Sequence, residues 1–346
     1  MSGTAHRTSA FSRLRSSREA ATALTLVVLL AVTVAVSPHF LFSDVGRANL
    51  LQSFAILGML AVGQAMVIIT RNVDISVGAI VGLTAYVAGK IVIAQPHLSI
   101  ALVIGACAVA GAILGLVNGL LVGFGKVPAL VITLGTMYVY RGVLQLWTSG
   151  GQVTASNLSH DFLQFGTAQV LGIPVLCYIT LIVLVLGAFI TTSMRFGRDL
   201  YAIGSAPDAA VLYGLPTRAR VTIVFVISGM LAGIAGCMYA ALYGTADASV
   251  GTGMELQSIA AAVVGGVAVF GGSGSIVGAG IGAALLVTLN QALPTLGVSS
   301  FWQQAVDGAL IVGAVTVDLF HQRRRRRRLL SKDVVSIRQV KKEMAA

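Results

Sequence analysis

Apolar residues recur along the chain in runs of about 17–25 residues, the length at which an α-helix crosses roughly 30 Å of hydrocarbon. Runs of this length predict about ten membrane-spanning helices. The predicted spans are residues 20–36, 49–70, 75–95, 98–124, 128–147, 173–192, 221–243, 254–271, 275–293 and 301–320. The pattern therefore predicts an all-α polytopic membrane protein.

Composition strengthens this prediction. Hydrophobic residues make up 56% of the chain and charged residues only 10%, whereas a soluble domain carries about 25% charged residues. The 40 glycines favour close approach of helices within a membrane. The three cysteines all lie in apolar runs without neighbouring histidines, so their spacing predicts neither a disulfide framework nor a metal site.

The net charge of +11 comes from basic residues beside the predicted spans. They concentrate in an N-terminal segment, in a central polar loop and in a C-terminal tail, which are residues 1–19, 193–220 and 321–346. Basic loops stay in the cytoplasm, and an even number of spans puts both termini there. By this topology all 23 Lys and Arg residues except Arg47, Lys90 and Arg141 are cytoplasmic.

These segments divide the chain into a basic N-terminus (1–19), a transmembrane domain (20–320) and a basic tail (321–346). We expect the run Arg323–Arg328 to contact anionic lipid headgroups rather than nucleic acid. A cleaved signal peptide is the alternative for the first span. Its apolar run is long for that purpose and no small-x-small cleavage site follows it, which favours an uncleaved span.

A short repeat relates two halves of the chain. Ile75–Gly82 reads ISVGAIVG and Ser275–Gly282 reads SIVGAGIG, which share V-G-A-x-x-G. Each follows a predicted turn on the same side of the membrane, residues 71–74 and 271–274. Such repeats are typical of transporters whose pseudo-symmetric halves surround a central path, and the glycine pairs are also helix-packing motifs.

Polar residues within or between spans are candidates for a translocation path or a hinge, because polar groups in a bilayer tend to line a bundle interior or a watery cavity. The candidates are Gln64, Asn72, Asp74, Asn118 and Asn290. Asp74 also fits the N-cap of a helix that begins at Ile75, and the two roles are compatible. For Gln64, Asn118 and Asn290, hydrogen bonding between helices is an equally good interpretation.

Catalytic patterns are missing from the sequence. It contains no H-E-x-x-H, no G-x-S-x-G and no G-x-x-x-x-G-K-[ST]. We therefore expect no catalytic residues, no cofactor, no metal and no ATP hydrolysis by this chain. The small number of embedded carboxylates argues against a proton-coupled carrier.

Several segments resemble the permease subunit of bacterial ATP-binding-cassette (ABC) importers for monosaccharides, in the ribose, rhamnose and autoinducer-2 group. The matching segments are TRNVDISVGAIVGLTAY (70–86), NGLLVGFGKVPALVITLGTMYVYRGV (118–143), RFGRDLYAIGSAPDAAVLYG (195–214) and GGSGSIVGAGIGA (271–283). The resemblance implies a type II-like importer permease in the bacterial inner membrane. It also implies partners: ABC ATPase subunits, a periplasmic sugar-binding protein, and a second permease subunit that is either identical or a paralogue.

The resemblance further implies that a short cytoplasmic helix in the central loop docks on the ATPase. The matching segment is 206–215, approached through the F-G-R pattern; relatives often carry Asn at position 206 or 207. Pro207 suits the first turn of a helix and Asp208 suits its positive end. The ATPase-coupling candidates are Arg195, Phe196, Gly197, Arg198, Tyr201, Gly204, Asp208, Ala209, Ala210 and Gly214.

The leading hypothesis is therefore a permease for a neutral monosaccharide similar to rhamnose, ribose or autoinducer-2. T-R-N-V-D (70–74) and Y-R-G-V-L-Q-L-W-T (140–148) resemble the rhamnose and autoinducer-2 branches. The alternatives are an ABC permease for branched-chain amino acids and a stand-alone secondary carrier. An amino-acid path needs partners for an ammonium and a carboxylate, and few embedded acids are available.

Overall fold

The computed structural model describes residues 18–125 and 127–299, together with residues 302, 303, 305, 306, 308–310, 312, 313 and 316. Most of the described chain is helical. Its helices are α1 Arg18–Val36, α2 His39–Phe42, α3 Asp44–Ile69, α4 Val77–Ala94, α5 Ile100–Gly125, α6 Ala129–Thr148, α7 His160–Thr167, α8 Val175–Ser193, α9 Arg195–Ser205, α10 Pro207–Leu212, α11 Thr217–Tyr243, α12 Met254–Val264 and α13 Ile276–Thr295. A 3₁₀ turn, Ala155–Asn157, precedes α7, and the antiparallel strands β1 Gln169–Val170 and β2 Ile173–Pro174 precede α8.

Eight of the described helices are long and apolar enough to cross a membrane. They are α1, α3, α4, α5, α6, α8, α11 and α13. The all-α polytopic fold predicted from the sequence is confirmed. Residues 1–17 and 321–346 of the predicted basic segments lie outside the described residues, as does much of the predicted span 301–320.

The prediction of a full span over 254–271 is wrong. The helix there is α12, which has 11 residues and is therefore about 16 Å long at 1.5 Å per residue. It ends at Gly265-Gly266, where Gly266 has a φ of 98°, a conformation that glycine adopts at little steric cost. The apolar composition concealed this break, because Val267–Phe270 continue the hydrophobic run.

Helix α3 forms the centre of the bundle. All of its residues from Ala55 to Ile69 are buried, and α8, α11, α12 and α13 pack around it. Large apolar side chains on α5, α6 and α8 are exposed instead, among them Val109, Val139 and Val185. Exposed aliphatic faces of this kind are suited to lipid, because the lipid tails are as apolar as the side chains themselves.

The predicted turns 71–74 and 271–274 meet at one end of the bundle, together with the loop 193–220. We call this the inner end. The opposite, outer end carries the connections 37–43, 149–174 and 244–253. Val153 in the second of these and Ala246 in the third form a β-bridge. The side-by-side placement of these turns agrees with the alternation of spans derived from the sequence.

Glycines bring α5 and α11 into backbone contact. A Cβ atom built on Gly111 would meet the carbonyl oxygen of Gly229, and one built on Gly233 would meet the carbonyl oxygen of Cys107. Helices in a membrane gain stability mainly from such close packing. The α5–α11 contact is therefore a principal source of stability in the bundle.

We expect Gly111→Leu to destabilise the protein by about 1–3 kcal/mol or more, because the added side chain must separate two backbones. The measurement is the thermal unfolding midpoint of the purified protein in detergent. Gly105→Leu is the matched control, since it lies on the same helix with no atom within 4 Å of its Cβ position. Equal midpoints for the two variants would contradict the role assigned to this contact.

Candidate functional site

A buried polar cluster is centred on Asp74, between α3 and α4. Its Oδ1 accepts hydrogen bonds from the backbone amide of Ser76 (3.0 Å) and from the Ser76 hydroxyl (2.7 Å). Its Oδ2 accepts from the Ser228 hydroxyl of α11 at 3.4 Å. In the side-chain orientation that gives both of its amide atoms a partner, Gln64 of α3 donates from Nε2 to the Asp74 carbonyl oxygen (3.2 Å) and accepts at Oε1 from the Asp74 backbone amide (3.3 Å). One aspartate thus links three helices.

The cluster extends to α5 and α6. The Asn118 amide donates to the Ser76 hydroxyl at 2.7 Å, and the Tyr140 hydroxyl donates to the Leu114 carbonyl oxygen at 2.9 Å and to Asn118 Oδ1 at 3.3 Å. Each of these groups has a partner, as buried polar groups require. The structure therefore brings together three of the predicted path or hinge residues, Gln64, Asp74 and Asn118.

The other two members of that predicted set lie elsewhere. Asn72 donates to the carbonyl and hydroxyl oxygens of Thr70, both at 3.0 Å, within its own turn. Asn290 lies near the outer end of α13. The prediction of Asp74 as an N-cap is wrong, since α4 begins at Val77 and its N-cap residue is Ser76. Asp74 instead accepts a hydrogen bond from the backbone amide of Ser76, which forms an Asx turn.

The inner end of the bundle holds helix α9 against both repeat turns. The Gly272 amide donates to the Ile69 carbonyl oxygen at 2.9 Å, and the Arg71 guanidinium donates to the Ser205 carbonyl oxygen at 3.2 Å. A Cβ atom on Gly204 would meet the Ile69 carbonyl oxygen. Helix α9, the end of α3 and the glycine turn are thus in backbone contact; we call this contact the inner junction.

Side chains of α9 complete the inner junction. The Tyr201 hydroxyl donates to the Gly274 carbonyl oxygen at 2.9 Å. Burial raises the pKa of Tyr201 above its ordinary value, and the phenol, which is protonated at neutral pH in any case, is a donor there. Asp199 pairs with Arg220 at 2.8 Å, and the Arg220 guanidinium lies 5.2 Å from the ring centre of Phe196.

The predicted coupling residues therefore separate into two groups. Gly197 and Gly204 are buried, and Phe196 and Tyr201 pack against the core, so these four fix α9 to the bundle. Arg195 and Arg198 are exposed. In the second helix, α10, Ala210 is buried, Ala209 is half-buried, and Asp208 and Gly214 are exposed.

The helix predicted over 206–215 is present as α10, Pro207–Leu212. It ends in a Schellman motif, in which Gly214, at a φ of 73°, donates to the Val211 carbonyl oxygen and Leu215 donates to that of Ala210. Val211, Leu212 and Tyr213 are 60%, 86% and 87% exposed. This apolar tip was not predicted, although three large apolar residues in a polar loop are a signal that the sequence contains.

A cavity of about 320 Å³ lies at the outer end, between α3, α12 and α13. Its polar lining consists of Ser53, Tyr243, Gln257, Asn290, Gln291 and Gln303. The Gln291 amide donates to the Ser53 hydroxyl (3.0 Å) and the Asn49 carbonyl oxygen (3.1 Å), and the Gln303 amide donates to the Asn290 carbonyl oxygen (2.8 Å). Apart from Asn290, these residues were missed from the sequence.

A second cavity of about 830 Å³ shares Ser53, Tyr243, Asn290, Gln291 and Gln303 with the first and continues to the connection 37–46. We call the two together the outer vestibule. Among the described residues, none that lines the smaller cavity is an Asp, Glu, Lys, Arg or His. The described lining of the smaller cavity therefore offers hydrogen bonds without a formal charge, which suits a hydroxylated, uncharged ligand.

We expect Asp74→Leu to destabilise the protein by about 1–3 kcal/mol for each buried donor that loses its acceptor, namely the amide and hydroxyl of Ser76 and the hydroxyl of Ser228. Asp74→Asn is the matched control, because it keeps one side-chain oxygen. The thermal unfolding midpoint should fall much further for Leu than for Asn. Similar midpoints would show that the hydrogen bonds to Asp74 contribute little.

Comparison with known proteins places the chain in a family. Residues 46–315 match the model for "Branched-chain amino acid transport system / permease component". Three relatives come from Escherichia coli: the ribose import permease protein RbsC (37% identity; 85% of this chain, 92% of the relative), the D-allose transport system permease protein AlsC (34%; 85% and 89%) and the autoinducer 2 import system permease protein LsrC (35%; 86% and 86%). No solved structure matches the chain. The chain belongs to the branched-chain amino acid transport system / permease component family.

Proposed function

We propose that the chain is the membrane permease subunit of an ATP-driven importer for a neutral monosaccharide in a bacterial inner membrane. The similarity to permeases for ribose, D-allose and autoinducer 2, over 85–86% of the chain, carries this proposal. The eight apolar helices and the smaller cavity of the outer vestibule, whose described lining contains no charged side chain, support it.

The vestibule favours a sugar over a branched-chain amino acid. A zwitterion that leaves water needs partners for an ammonium and a carboxylate, because an unpaired ion in an apolar environment is costly. The smaller cavity offers amide and hydroxyl groups instead. A sugar ring needs only hydrogen bonds, which these groups supply.

The cytoplasmic partner in this proposal is a pair of ATPase subunits that dock on α10. Val211, Leu212 and Tyr213 form an exposed apolar tip at the inner end. An apolar tip held by a rigid base fits the anchor residues of protein interfaces, which fill pockets on the partner. Arg195 and Arg198 are exposed in the same loop, and basic loop residues of this kind support a cytoplasmic position for this end.

The remaining partners lie on the outer side and within the membrane. A periplasmic sugar-binding protein would deliver the ligand to the outer vestibule. A second permease subunit, identical or a paralogue, would pack beside this one. Both termini are cytoplasmic in this arrangement, and ATP hydrolysis belongs to the separate ATPase subunits.

We expect the ATPase to co-purify with the tagged chain from its native membrane, and Leu212→Arg to reduce its retention about tenfold or more. Loss of an interface anchor typically costs 2 kcal/mol or more. Retention is quantified against the permease by mass spectrometry, and sugar uptake should fall in parallel. Membrane insertion should be unchanged, since Leu212 is 86% exposed.

Ala219→Arg is the control, because it adds the same side chain at an exposed position at the start of α11. It should retain the ATPase. If Leu212→Arg retained the ATPase equally well, α10 would not be the docking helix. A chain that ran alone and transported solute into ATP-free liposomes would be a carrier, and the proposed function would be wrong.

A further inference from the structure

The smaller cavity of the outer vestibule has the size and lining of a ligand site. Small-molecule sites commonly measure about 300–1,000 Å³, and this one measures about 320 Å³. We infer that it is a selectivity site within the permease itself, that it takes one neutral hydroxylated ring, and that Gln257, Asn290 and Gln291 determine which rings it accepts. The inference rests on the proposed function and adds to it the location at which the ligand is selected.

The chemistry of the lining supports a polyol. A carboxamide carries an oxygen acceptor and two N–H donors, and a hydroxyl both donates and accepts. Because the Gln291 amide nitrogen already donates to Ser53 and Asn49, Gln291 offers the ligand its oxygen as an acceptor. Three elements present such groups to one space: Ser53 from α3, Gln257 from α12, and Asn290 with Gln291 from α13. A ring that carries hydroxyls around its edge can exchange its hydrogen bonds with water for hydrogen bonds with all three walls.

The wall and base of the cavity combine apolar surface with an aromatic ring. Ile56, Leu57 and Val287 contribute aliphatic surface. Tyr243 is half exposed and packs against Tyr239 with ring centres 4.5 Å apart. Apolar walls with a few convergent polar groups are typical of ligand sites. The C–H faces of a sugar ring would lie against these surfaces.

Helix α12 is positioned rigidly enough to present Gln257. In the connection just before α12, the carbonyl oxygens of Gly251 and Val250 would meet Cβ atoms placed on Gly78 and Gly82 of α4. At the other end, the carbonyl oxygens of Gly265 and Ala261 would meet Cβ atoms placed on Gly278 and Gly282 of α13. The two V-G-A-x-x-G repeats therefore hold opposite ends of one short helix. The Arg141 guanidinium adds hydrogen bonds to the carbonyl oxygens of Val250 (2.6 Å) and Ala248 (3.2 Å).

The packing below the cavity closes it toward the inner end. Gly265 and Gly278 bring α12 and α13 into backbone contact there, and α3 is buried from Ala55 onward. The larger cavity leads instead toward the outer connections. The structure thus presents a site that is reached from outside and closed from inside.

The first test measures access and protection in cells that produce the complete transporter. Ser53→Cys places a thiol on the cavity wall, and the native residues Cys107, Cys177 and Cys237 are buried. We expect a membrane-impermeant thiol reagent to modify the variant, and saturating D-ribose or D-allose to slow the modification about fivefold or more. Ribose 5-phosphate should give no protection, because the cavity offers its charge no partner.

Ser99→Cys is the matched control, since Ser99 is exposed in the outer connection between α4 and α5. Sugar should leave its modification rate unchanged. Absence of modification at Ser53→Cys, or equal protection at both positions, would overturn the inference. Protection by ribose 5-phosphate as strong as by ribose would also overturn it.

The second test separates binding from turnover in proteoliposomes that contain the whole transporter. Gln257→Leu removes an amide, and we expect it to raise the KM for the transported sugar about tenfold, the effect of one lost hydrogen bond to a ligand hydroxyl. Gln257→Asn should restore much of the affinity. An unchanged KM in Gln257→Leu, or a loss of turnover alone, would contradict the assigned role.

The two proposals fail in different ways. If ribose or allose enters the proteoliposomes but neither protects Ser53→Cys nor depends on Gln257, the selectivity site is wrong and the importer stands. If neither sugar enters the proteoliposomes or protects Ser53→Cys from modification, both the selectivity site and the proposed class of sugar are wrong. If no ATPase co-purifies with the chain, the proposed function as an ATP-driven importer is wrong as well.

Discussion

The close approach of helix backbones at glycine is the constraint on which this structure depends. Because lipid is as apolar as the helix faces, the bundle has little hydrophobic drive to assemble and relies on close packing. Glycines supply that packing where α5 meets α11, where α12 meets α13, and where α9 meets the turn at Gly272. A side chain larger than hydrogen at these contacts must move a backbone rather than another side chain, so the helices cannot separate slightly and keep their contacts.

This constraint explains why the polar groups are arranged as they are. Once the helices are this close, a polar side chain between them is cut off from water and must find a partner in the protein. Around Asp74 every such group does, through Ser76, Ser228, Gln64 and Asn118. At the outer end, α3, α12 and α13 diverge and leave a cavity lined by amides. The same residue types therefore act as connections in one place and as a lining in the other.

The sequence predicted most of the fold and part of the candidate site. Long apolar runs predict spans well, because hydrocarbon thickness sets their length. The repeat turns followed from polar and glycine residues between apolar runs, and the helix at 207–212 followed from the family resemblance, with Pro207 and Gly214 suited to its two ends. The span over 254–271 failed because hydrophobicity does not record where a helix ends. Asn290 and Asn118 looked equivalent in sequence, yet only Asn290 lines the vestibule. The distinction depends on local divergence of helices, which no single span encodes.

The structure also constrains how a signal could pass from one end to the other. Helix α9 touches the end of α3 and the turn before α13, through Ile69 and Gly272. At their outer ends α3 and α13 line the vestibule with Ser53 and Asn290. A displacement of α9 cannot be absorbed at its own contacts, since they are backbone to backbone and packed interiors yield little. The displacement must move these two helices, and with them two of the three walls of the site at which a sugar would be held.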